Sequence, residues 1–203
     1  MSLQPFTQVS GQAAPLLAAN IDTDVIMPKQ FLKGIDRQGL DRGLFFDLRF
    51  LRDGSPNPDF VLNQPAWQGA SFLLVGPNFG CGSSREHAVW GLQQMGIRAL
   101  IGSSFAGIFY DNCQRNGVLL ITLEEAKVQR IGRLVGEPET ARISIDLEAQ
   151  QIGLADGSVI DFQIDTLRKT ALLLGLDAIG TLQRREQIKT FERQHLANNP
   201  WLS

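Results

Sequence analysis

The segment from Asn78 to Ala88 holds the densest group of chemically capable side chains in the sequence. It reads Asn-Phe-Gly-Cys-Gly-Ser-Ser-Arg-Glu-His-Ala. Two hydroxyls, a guanidinium and an imidazole follow glycines that let the backbone approach a ligand closely. The segment comes after an apolar run and is predicted to open a helix, so backbone N–H groups and the positive end of the helix dipole meet there. This combination is typical of a site for a carboxylate or a phosphate.

Other interpretations of the same segment stay open. Ser83 and Glu86 have the spacing of a capping box, in which both side chains only satisfy the free N–H groups of the helix end. Both roles are compatible if Ser84 caps the helix while Ser83 faces a substrate. Cys81 and His87 would make a thiol nucleophile and its base, but no third orienting group is evident. An inert buried cysteine and a structural histidine are therefore favoured. A dinucleotide-binding fingerprint fails because an arginine stands in place of its third glycine.

The surrounding pattern predicts the elements that position this segment. Short apolar runs bounded by turn residues predict buried strands, and the stretches between them predict helices. The predicted strands are 72–75, 99–101 and 118–121. The first predicted helix starts at Ser83 or Ser84 and runs to Gly96. A second is capped by Ser103 or Ser104 and carries Phe105, Ile108 and Phe109 on one face, and a third spans 124–135. Strands and helices in alternation imply parallel pairing with right-handed crossovers.

The C-terminal part shows a different pattern. Segments 142–147 and 159–164 alternate with period two, which predicts an antiparallel pair with one face in water. A helical segment is predicted from Thr166 to about Leu196. The fold class is therefore α/β, with a parallel βαβ core, antiparallel strand additions and C-terminal helices. All 203 residues are assigned to one domain, with a surface excursion at 53–65 that is rich in turn residues.

Composition limits the classes of function. With 43% hydrophobic residues and a net charge of -2, the sequence is unlike that of a disordered protein. The 19 Lys and Arg residues are balanced by 21 Asp and Glu residues without a basic block, which argues against nucleic-acid binding. No apolar run approaches the ~18 residues of a membrane span, and residues 1–5 do not resemble a secretory signal. We expect a cytoplasmic protein that binds neither nucleic acid nor membrane.

Cysteine and histidine, the usual protein ligands of iron–sulfur clusters and zinc, are scarce in this sequence. The sequence has two cysteines, Cys81 and Cys113, and two histidines, His87 and His195. A disulfide scaffold would need more cysteines, and an iron–sulfur cluster takes ~4 thiolates. The histidines lie far apart in sequence, which gives little support for a zinc site. We therefore expect no metal bound by this chain, so that any metal chemistry depends on another chain.

Several segments resemble the swivelling domain of the aconitase superfamily. The most specific is Gly80–Ala88 (GCGSSREHA), and Asn20–Pro28 (NIDTDVIMP) resembles the Asp-Thr-Asp segment of the same domain. The resemblance continues through 44–50, 56–62 and 104–109. Together these segments resemble the small subunits of bacterial 3-isopropylmalate dehydratases of leucine biosynthesis, over nearly the whole chain.

The resemblance implies a reaction and a partner. In that family, 2-isopropylmalate and 3-isopropylmalate are interconverted by loss and re-addition of water through an alkene. A [4Fe–4S] cluster is implied in the large subunit, so that this chain acts only with that partner. By motif position, Ser83 resembles the base, Arg85 the ligand of a substrate carboxylate and Ser84 a further substrate contact. Asp24 resembles an active-site carboxylate, although an Asx-type turn before Pro28 explains it equally well.

The resemblance also places residues 28–35 in the loop that contacts the variable group of the substrate. Citrate-processing relatives carry an arginine there, whereas this sequence has the apolar Phe31, Leu32 and Ile35, with Arg37 just beyond. These side chains favour isopropylmalate as the substrate. The alternatives are a related subunit acting on homoaconitate, a methyl-substituted malate or citraconate, and a non-enzymatic anion-binding domain.

Overall fold

A computed structural model describes residues 3–32 and 38–176. The strands are β1 (Gln8–Leu16), β2 (Phe72–Val75), β3 (Ala99–Gly102), β4 (Leu119–Thr122), β5 (Arg142–Asp146), β6 (Gln151–Gly153) and β7 (Val159–Asp161). The helices are α1 (Thr23–Ile26), α2 (Phe46–Arg49), α3 (Glu86–Gln94), α4 (Gly107–Arg115), α5 (Glu125–Val135) and α6 (Thr166–Leu174). The strands form one sheet in the order β4-β3-β2-β1-β5-β6-β7.

The half of the sheet from β1 to β4 is parallel. Ala13 lies opposite Phe72, Leu73 opposite Leu100 and Ile101 opposite Ile121. Every residue of β2 and β3 is buried, which a strand covered on both faces requires. The predicted strand 72–75 is confirmed with the same bounds, and the predicted parallel βαβ core is confirmed with it.

The half from β5 to β7 is antiparallel, as predicted, but its pairing differs from the prediction. Segments 142–147 and 159–164 do not pair with each other, because β6 lies between them and pairs with both β5 and β7. Strand β6 was not predicted, because it is only three residues long. Strand β1 was not predicted either, because its small and polar residues show neither an apolar run nor regular alternation.

The start of α4 and the end of α6 differ from those predicted. Helix α4 begins at Gly107 without a side-chain cap, because the Ser104 hydroxyl accepts a hydrogen bond from the Asn78 N–H at 2.8 Å instead. The predicted apolar face of α4 is wrong at Ile108, which is 57% exposed. Helix α6 ends at Leu174, where Gly175 takes the left-handed conformation of a C-cap, and the predicted helix beyond 176 lies outside the described residues.

The buried apolar side chains form one cluster that includes residues from both halves of the sheet. Helix α5 packs across β1, β2 and β3. The indole N–H of Trp67 donates to the Val135 carbonyl at 3.1 Å, which ties residues just beyond the 53–65 excursion to the end of α5. Within residues 3–32 and 38–176, no helix has the length and apolarity needed to cross a membrane.

A buried polar network joins α3 to α4. The amide of Asn116 donates to the Glu86 carboxylate at 2.7 Å and to the Asn112 carbonyl at 2.9 Å. Its oxygen accepts from the indole N–H of Trp90 at 3.0 Å. Because Asn116 is only 8% exposed, these bonds are made away from water. The network fixes the start of α3, and with it the segment from Ser83 to Arg85.

We expect Asn116→Ala to destabilise the fold. The substitution removes the hydrogen bonds of the Asn116 side chain to Trp90, Glu86 and the Asn112 carbonyl, at a cost of about 2–3 kcal/mol. Urea unfolding of the purified chain gives the loss. Gln129→Ala is the control, because it removes an exposed amide with a single bond to Glu125. Equal stability of the two variants would contradict this role of Asn116.

Candidate active site

The candidate site lies where two chain segments leave the sheet side by side. Strands β1 and β2 are parallel and in register up to Leu16 and Val75, so the residues that follow each strand emerge at the same edge. Backbone hydrogen bonds then join the segments: Asn20 N–H to Pro77 O at 2.9 Å, Gly80 N–H to Ile21 O at 2.8 Å, and Thr23 N–H to Cys81 O at 2.8 Å. The Asp-Thr-Asp segment thus lies against the glycine-rich loop. The carboxyl edge of a parallel sheet is where ligands bind in α/β folds.

The loop needs glycine at Gly80. Its φ of +78° is in the left-handed region. A Cβ atom there would also lie 2.2 Å from Cγ of Phe109, on α4. The backbone therefore packs directly against an aromatic ring, which brings the next residues, Cys81 to Ser83, up to the Asp-Thr-Asp segment.

Ser83 is exposed but held by a buried residue. Its Oγ lies 3.1 Å from the Oγ1 of Thr23, and its N–H donates to the same Oγ1 at 3.0 Å. Thr23 is 1% exposed. The Ser83 hydroxyl is therefore held by Thr23 on its buried side and remains accessible to a ligand on its exposed side.

Arg85 and Asp24 form an ion pair, with Nη1 of Arg85 donating to Oδ1 of Asp24. The Arg85 side chain is 16% exposed and that of Asp24 is 47% exposed. The hydrogen bond from Arg85 lowers the pKa of Asp24 against the opposing effect of desolvation, and the positive charges of Arg85 and Lys29 lower it further. The hydrogen bond from an aspartate side chain to the local backbone is made by Asp22 and not by Asp24. Oδ1 of Asp22 accepts from the Val25 N–H at 2.8 Å and caps α1.

The predicted capping box is wrong. Helix α3 begins at Glu86, with Arg85 in the N-cap position and no side-chain cap, so the predicted start at Ser83 or Ser84 is three or two residues early. The carboxylate of Glu86 accepts from Asn116 and does not reach back to the loop. The Ser83 hydroxyl contacts Thr23 instead. Serine often caps helix ends through local hydrogen bonds. Here the Ser83 hydroxyl contacts Thr23, which is distant in sequence, instead of capping the helix.

The remaining residues of the loop have structural surroundings. Ser84 is exposed, and its carbonyl accepts from the Asn112 side chain at 3.4 Å. The His87 ring packs against Trp90 with centroids 4.8 Å apart. The thiol of Cys81 is half-buried and donates to the Asn20 carbonyl at 3.5 Å. These contacts favour structural roles for His87 and Cys81.

The predicted substrate loop is described in part. Phe31 and Leu32 lie on a short 3-10 helix, Lys29–Leu32, and both are half-buried against the core. The Phe31 ring packs on Phe46 with centroids 5.1 Å apart. Ile35 and Arg37 lie outside the described residues.

Among the described residues, no group of three His, Cys, Asp or Glu side chains is placed to hold a metal ion. Cys113 is fully buried, and burial raises the pKa of its thiol well above the ordinary value. A thiol in this state is a poor metal ligand, because the thiolate is the binding form.

Thr23 and the pair Asn20 and Asn78 belong to the site, although no role was predicted for them from the sequence. Both asparagines have φ near +58°, and the side-chain amide of Asn78 donates to Oδ1 of Asn20 at 2.8 Å. Asparagine tolerates this conformation better than most residues, and that is the signal that the sequence offered. A threonine between two aspartates carried no comparable signal, because its burial depends on the tertiary fold.

The glycine loop, the Asp-Thr-Asp segment and the mixed sheet together define a swivelling domain of the aconitase type. Residues 3–126 match the model of the aconitase C-terminal domain. Residues 133–166 match the model described as LeuD_N, and residues 181–203 match that of the C-terminal domain of 3-isopropylmalate dehydratase small subunits. The chain belongs to the family of 3-isopropylmalate dehydratase small subunits.

Curated relatives are similar over nearly their whole length. The chain is 60% identical to 3-isopropylmalate dehydratase small subunit 1 of Mannheimia succiniciproducens, over 98% of this chain and 99% of that protein. It is 58% identical to small subunit 2 of Salmonella typhimurium, over 98% and 96%. The crystal structure of 3-isopropylmalate dehydratase (leuD) from Methanocaldococcus jannaschii is similar with a TM-score of 0.68 and 25% identity, over 92% of this chain and 99% of that chain.

We expect Asp24→Asn to lower the melting temperature at pH 7 and to lose this effect in acid. Because the pKa of Asp24 is lowered in the folded state, its carboxylate stabilises the fold above the unfolded pKa, and this contribution disappears as the pH falls through the lowered value. The difference in melting temperature between the two proteins should therefore shrink below the ordinary value of 3.8. Asp59→Asn, at an exposed residue, is the control. A constant difference across pH 2.5–7 would contradict the ion pair (an experimental window set by the ordinary carboxyl range, about 3.9 for Asp).

Proposed function

We propose that this chain is the small subunit of a 3-isopropylmalate dehydratase, in which Ser83 is the base and Arg85 binds the substrate carboxylate. The observation that carries the proposal is the convergence of Ser83 and Arg85 with the Asp-Thr-Asp segment at the carboxyl edge of the sheet. Ser83 is held by Thr23, and Arg85 is held by Asp24. The proposed reaction is the one that belongs to the family of 3-isopropylmalate dehydratase small subunits.

The proposed chemistry needs no net oxidation. Ser83 takes a proton from the carbon next to a carboxylate, the C–H electron pair forms the C=C bond, and the hydroxyl of the neighbouring carbon leaves with its bonding pair as hydroxide. The proton on Ser83 and the hydroxide together make up the water that is lost. Hydroxide then adds to the carbon that lost the proton, and Ser83 returns its proton to the other carbon, which gives the isomer. Negative charge develops on the adjacent carboxylate during proton removal. The fork of the Arg85 guanidinium suits a carboxylate, which it can bind through two hydrogen bonds.

An unperturbed serine is a very weak base, so its surroundings must favour the deprotonated form. The nine-residue helix α3 begins three residues after Ser83, so that the positive end of its dipole lies close to the loop. Arg85 adds a positive charge, part of which the carboxylate of Asp24 offsets. Fixed charges of this kind act most strongly when water is excluded, which agrees with a site that is enclosed by a second protein chain.

The proposed partner is the large subunit, which carries the [4Fe–4S] cluster. When bound there, the cluster acts as a Lewis acid on the substrate hydroxyl and carboxylate. In the part of this chain that the structure describes, no ligand set competes for the cluster. Ser83 and Ser84 are exposed, which leaves the loop open to a substrate held by the partner. The proposal includes substrate contact by Ser84 and a cytoplasmic location for the pair.

The proposed specificity loop consists of Phe31, Leu32 and Ile35. Phe31 is anchored on Phe46 and lies over Gly43, where an added Cβ would lie 2.5 Å from the Phe31 ring. The anchored ring places Leu32 at the end of the 3-10 helix. An apolar surface here stabilises an isopropyl group by about 25 cal/mol per Å² buried. It offers no partner to a third carboxylate, whose desolvation without pairing is costly.

Ser83→Ala should abolish turnover in the enzyme reconstituted with the large subunit. Removal of a general base lowers kcat by about 100-fold or more, whereas the lost hydroxyl contact costs the fold only about 1 kcal/mol. Kinetics with both isopropylmalates and thermal unfolding provide the two measurements. Ser158→Ala, at the turn between β6 and β7, is the control. Retention of most activity in Ser83→Ala would refute the proposed base.

Leu32→Arg should shift the substrate preference. We expect kcat/KM for isopropylmalate to fall about 10-fold or more and the relative activity on homoaconitate or citrate to rise, because discrimination is set by the ratio of kcat/KM values. Leu167→Arg adds the same charge at a residue that is 79% exposed on α6, and serves as the control. If both kcat/KM values stay unchanged in Leu32→Arg, the loop has no part in specificity.

A further inference from the structure

Thr23 is one of three buried polar residues in the described part of the chain, with Asn112 and Asn116. Burial of a hydroxyl is unfavourable unless it is hydrogen-bonded. Its backbone N–H donates to the Cys81 carbonyl at 2.8 Å, and its carbonyl accepts from the Met27 N–H at 2.9 Å. Its hydroxyl contacts Ser83. The polar atoms of Thr23 are therefore used mainly on the loop that carries Ser83.

The hydroxyl of Thr23 makes two contacts with Ser83, and in the contact between the two hydroxyls either oxygen can be the donor. A hydroxyl has one hydrogen and two lone pairs. One lone pair of the Thr23 Oγ1 accepts the Ser83 N–H at 3.0 Å. The Thr23 hydrogen remains free to point at the Ser83 Oγ, 3.1 Å away. Accepting the N–H also polarises the Thr23 O–H, which makes it a stronger donor.

We propose that Thr23 is a positioning residue, which orients the Ser83 hydroxyl and stabilises its deprotonated form by donating a hydrogen bond to it. The inference rests on the proposed function of Ser83 as base. A deprotonated Ser83 Oγ can only accept, so in that state the bond runs from Thr23 to Ser83. A bond to a charged oxygen is about twice as strong as one between neutral groups. Thr23 therefore favours the active form of the base over the resting form.

The local backbone supports this pairing. Asp22 caps α1 through the Val25 N–H, which fixes Thr23 as the first residue of that helix. Gly82 has a φ of +95°, in the left-handed region that favours glycine. It lies between Cys81, whose carbonyl accepts from the Thr23 N–H, and Ser83, whose N–H donates to the Thr23 hydroxyl.

The test uses Thr23→Val and Thr23→Ser in the enzyme reconstituted with the large subunit. Valine keeps the size of the side chain and removes the hydroxyl, whereas serine keeps the hydroxyl. We expect Thr23→Val to lower kcat about 100-fold, the order seen when one donor to a developing oxyanion is removed. KM should change little, because Thr23 is buried away from the substrate. Thr23→Ser should restore most of kcat.

The pH dependence of kcat separates this role from a purely structural one. Loss of the donor raises the pKa of the base, so the acid limb of the profile should move to higher pH in Thr23→Val and stay in place in Thr23→Ser. The other titratable or charged groups of the adjoining segments are retained in both variants: Asp22, Asp24, Lys29, Cys81, Arg85, Glu86 and His87. Thr140→Val removes a hydroxyl bonded to the Leu134 carbonyl, far from the loop in sequence, and should leave the profile unchanged.

Each result of this experiment either supports the role of Thr23 or overturns it. If Thr23→Val lowers only the melting temperature and keeps the kcat and profile of the unmodified enzyme, the inference is overturned. If Ser83→Ala in the same series is active, the proposed function fails first, and the two failures are thereby distinguished. Should Thr23→Val not fold, Thr23→Ala is the substitute, because it also removes the hydroxyl. A normal profile in a folded Thr23→Ala would equally overturn the inference.

Discussion

The candidate site depends on a short run of backbone pairing between two segments that lie more than fifty residues apart in sequence. Three N–H···O bonds of 2.8–2.9 Å join residues 20–23 to residues 77–81. Backbone bonds fix spacing without regard to side-chain identity, and the side chains next to them then meet in pairs: Thr23 with Ser83, and Asp24 with Arg85. If this pairing opened, both pairs would be lost together. The site is therefore cooperative with the fold around it and not a loop that folds by itself.

Strand β1 makes this pairing possible. Among the strands of the described residues, it alone pairs in parallel on one side, with β2, and antiparallel on the other, with β5. Its parallel register with β2 ends at Leu16 and Val75, so that the chain leaves both strands at the same edge. The segment after β3 joins from the other side, where Phe79 and Phe105 form an isolated bridge. The ends of β1, β2 and β3 therefore lie close together, and the segments that follow these strands form the site.

Much of this architecture could be predicted from local pattern, and the errors have a common physical origin. The strand 72–75 and the parallel core follow from apolar runs, because strands buried on both faces must be apolar. Strand β1 was missed because its burial comes from a central position in the sheet and not from its own composition. The capping box at Ser83 failed for a similar reason: its local preference was overridden by Thr23, sixty residues earlier in the sequence. Ser83, Arg85 and Asp24 were predicted as site residues because they lie in the two motifs. Which residue each of them contacts is set by the tertiary structure.

The same geometry explains why the proposed reaction needs a second subunit for more than its cluster. Ser83 lies exposed on the surface, and Asp24 is nearly half exposed. In water, the attraction between Arg85 and a developing negative charge is weak, because a high dielectric reduces it to about 1 kcal/mol at 4 Å. This chain supplies orientation, through Thr23 and the Asp24–Arg85 pair, but it leaves the loop open to solvent. Covering the loop would exclude water and strengthen every one of these interactions at once. The proposed base would then become effective only in the assembled pair, which confines proton removal to the moment when the substrate is enclosed.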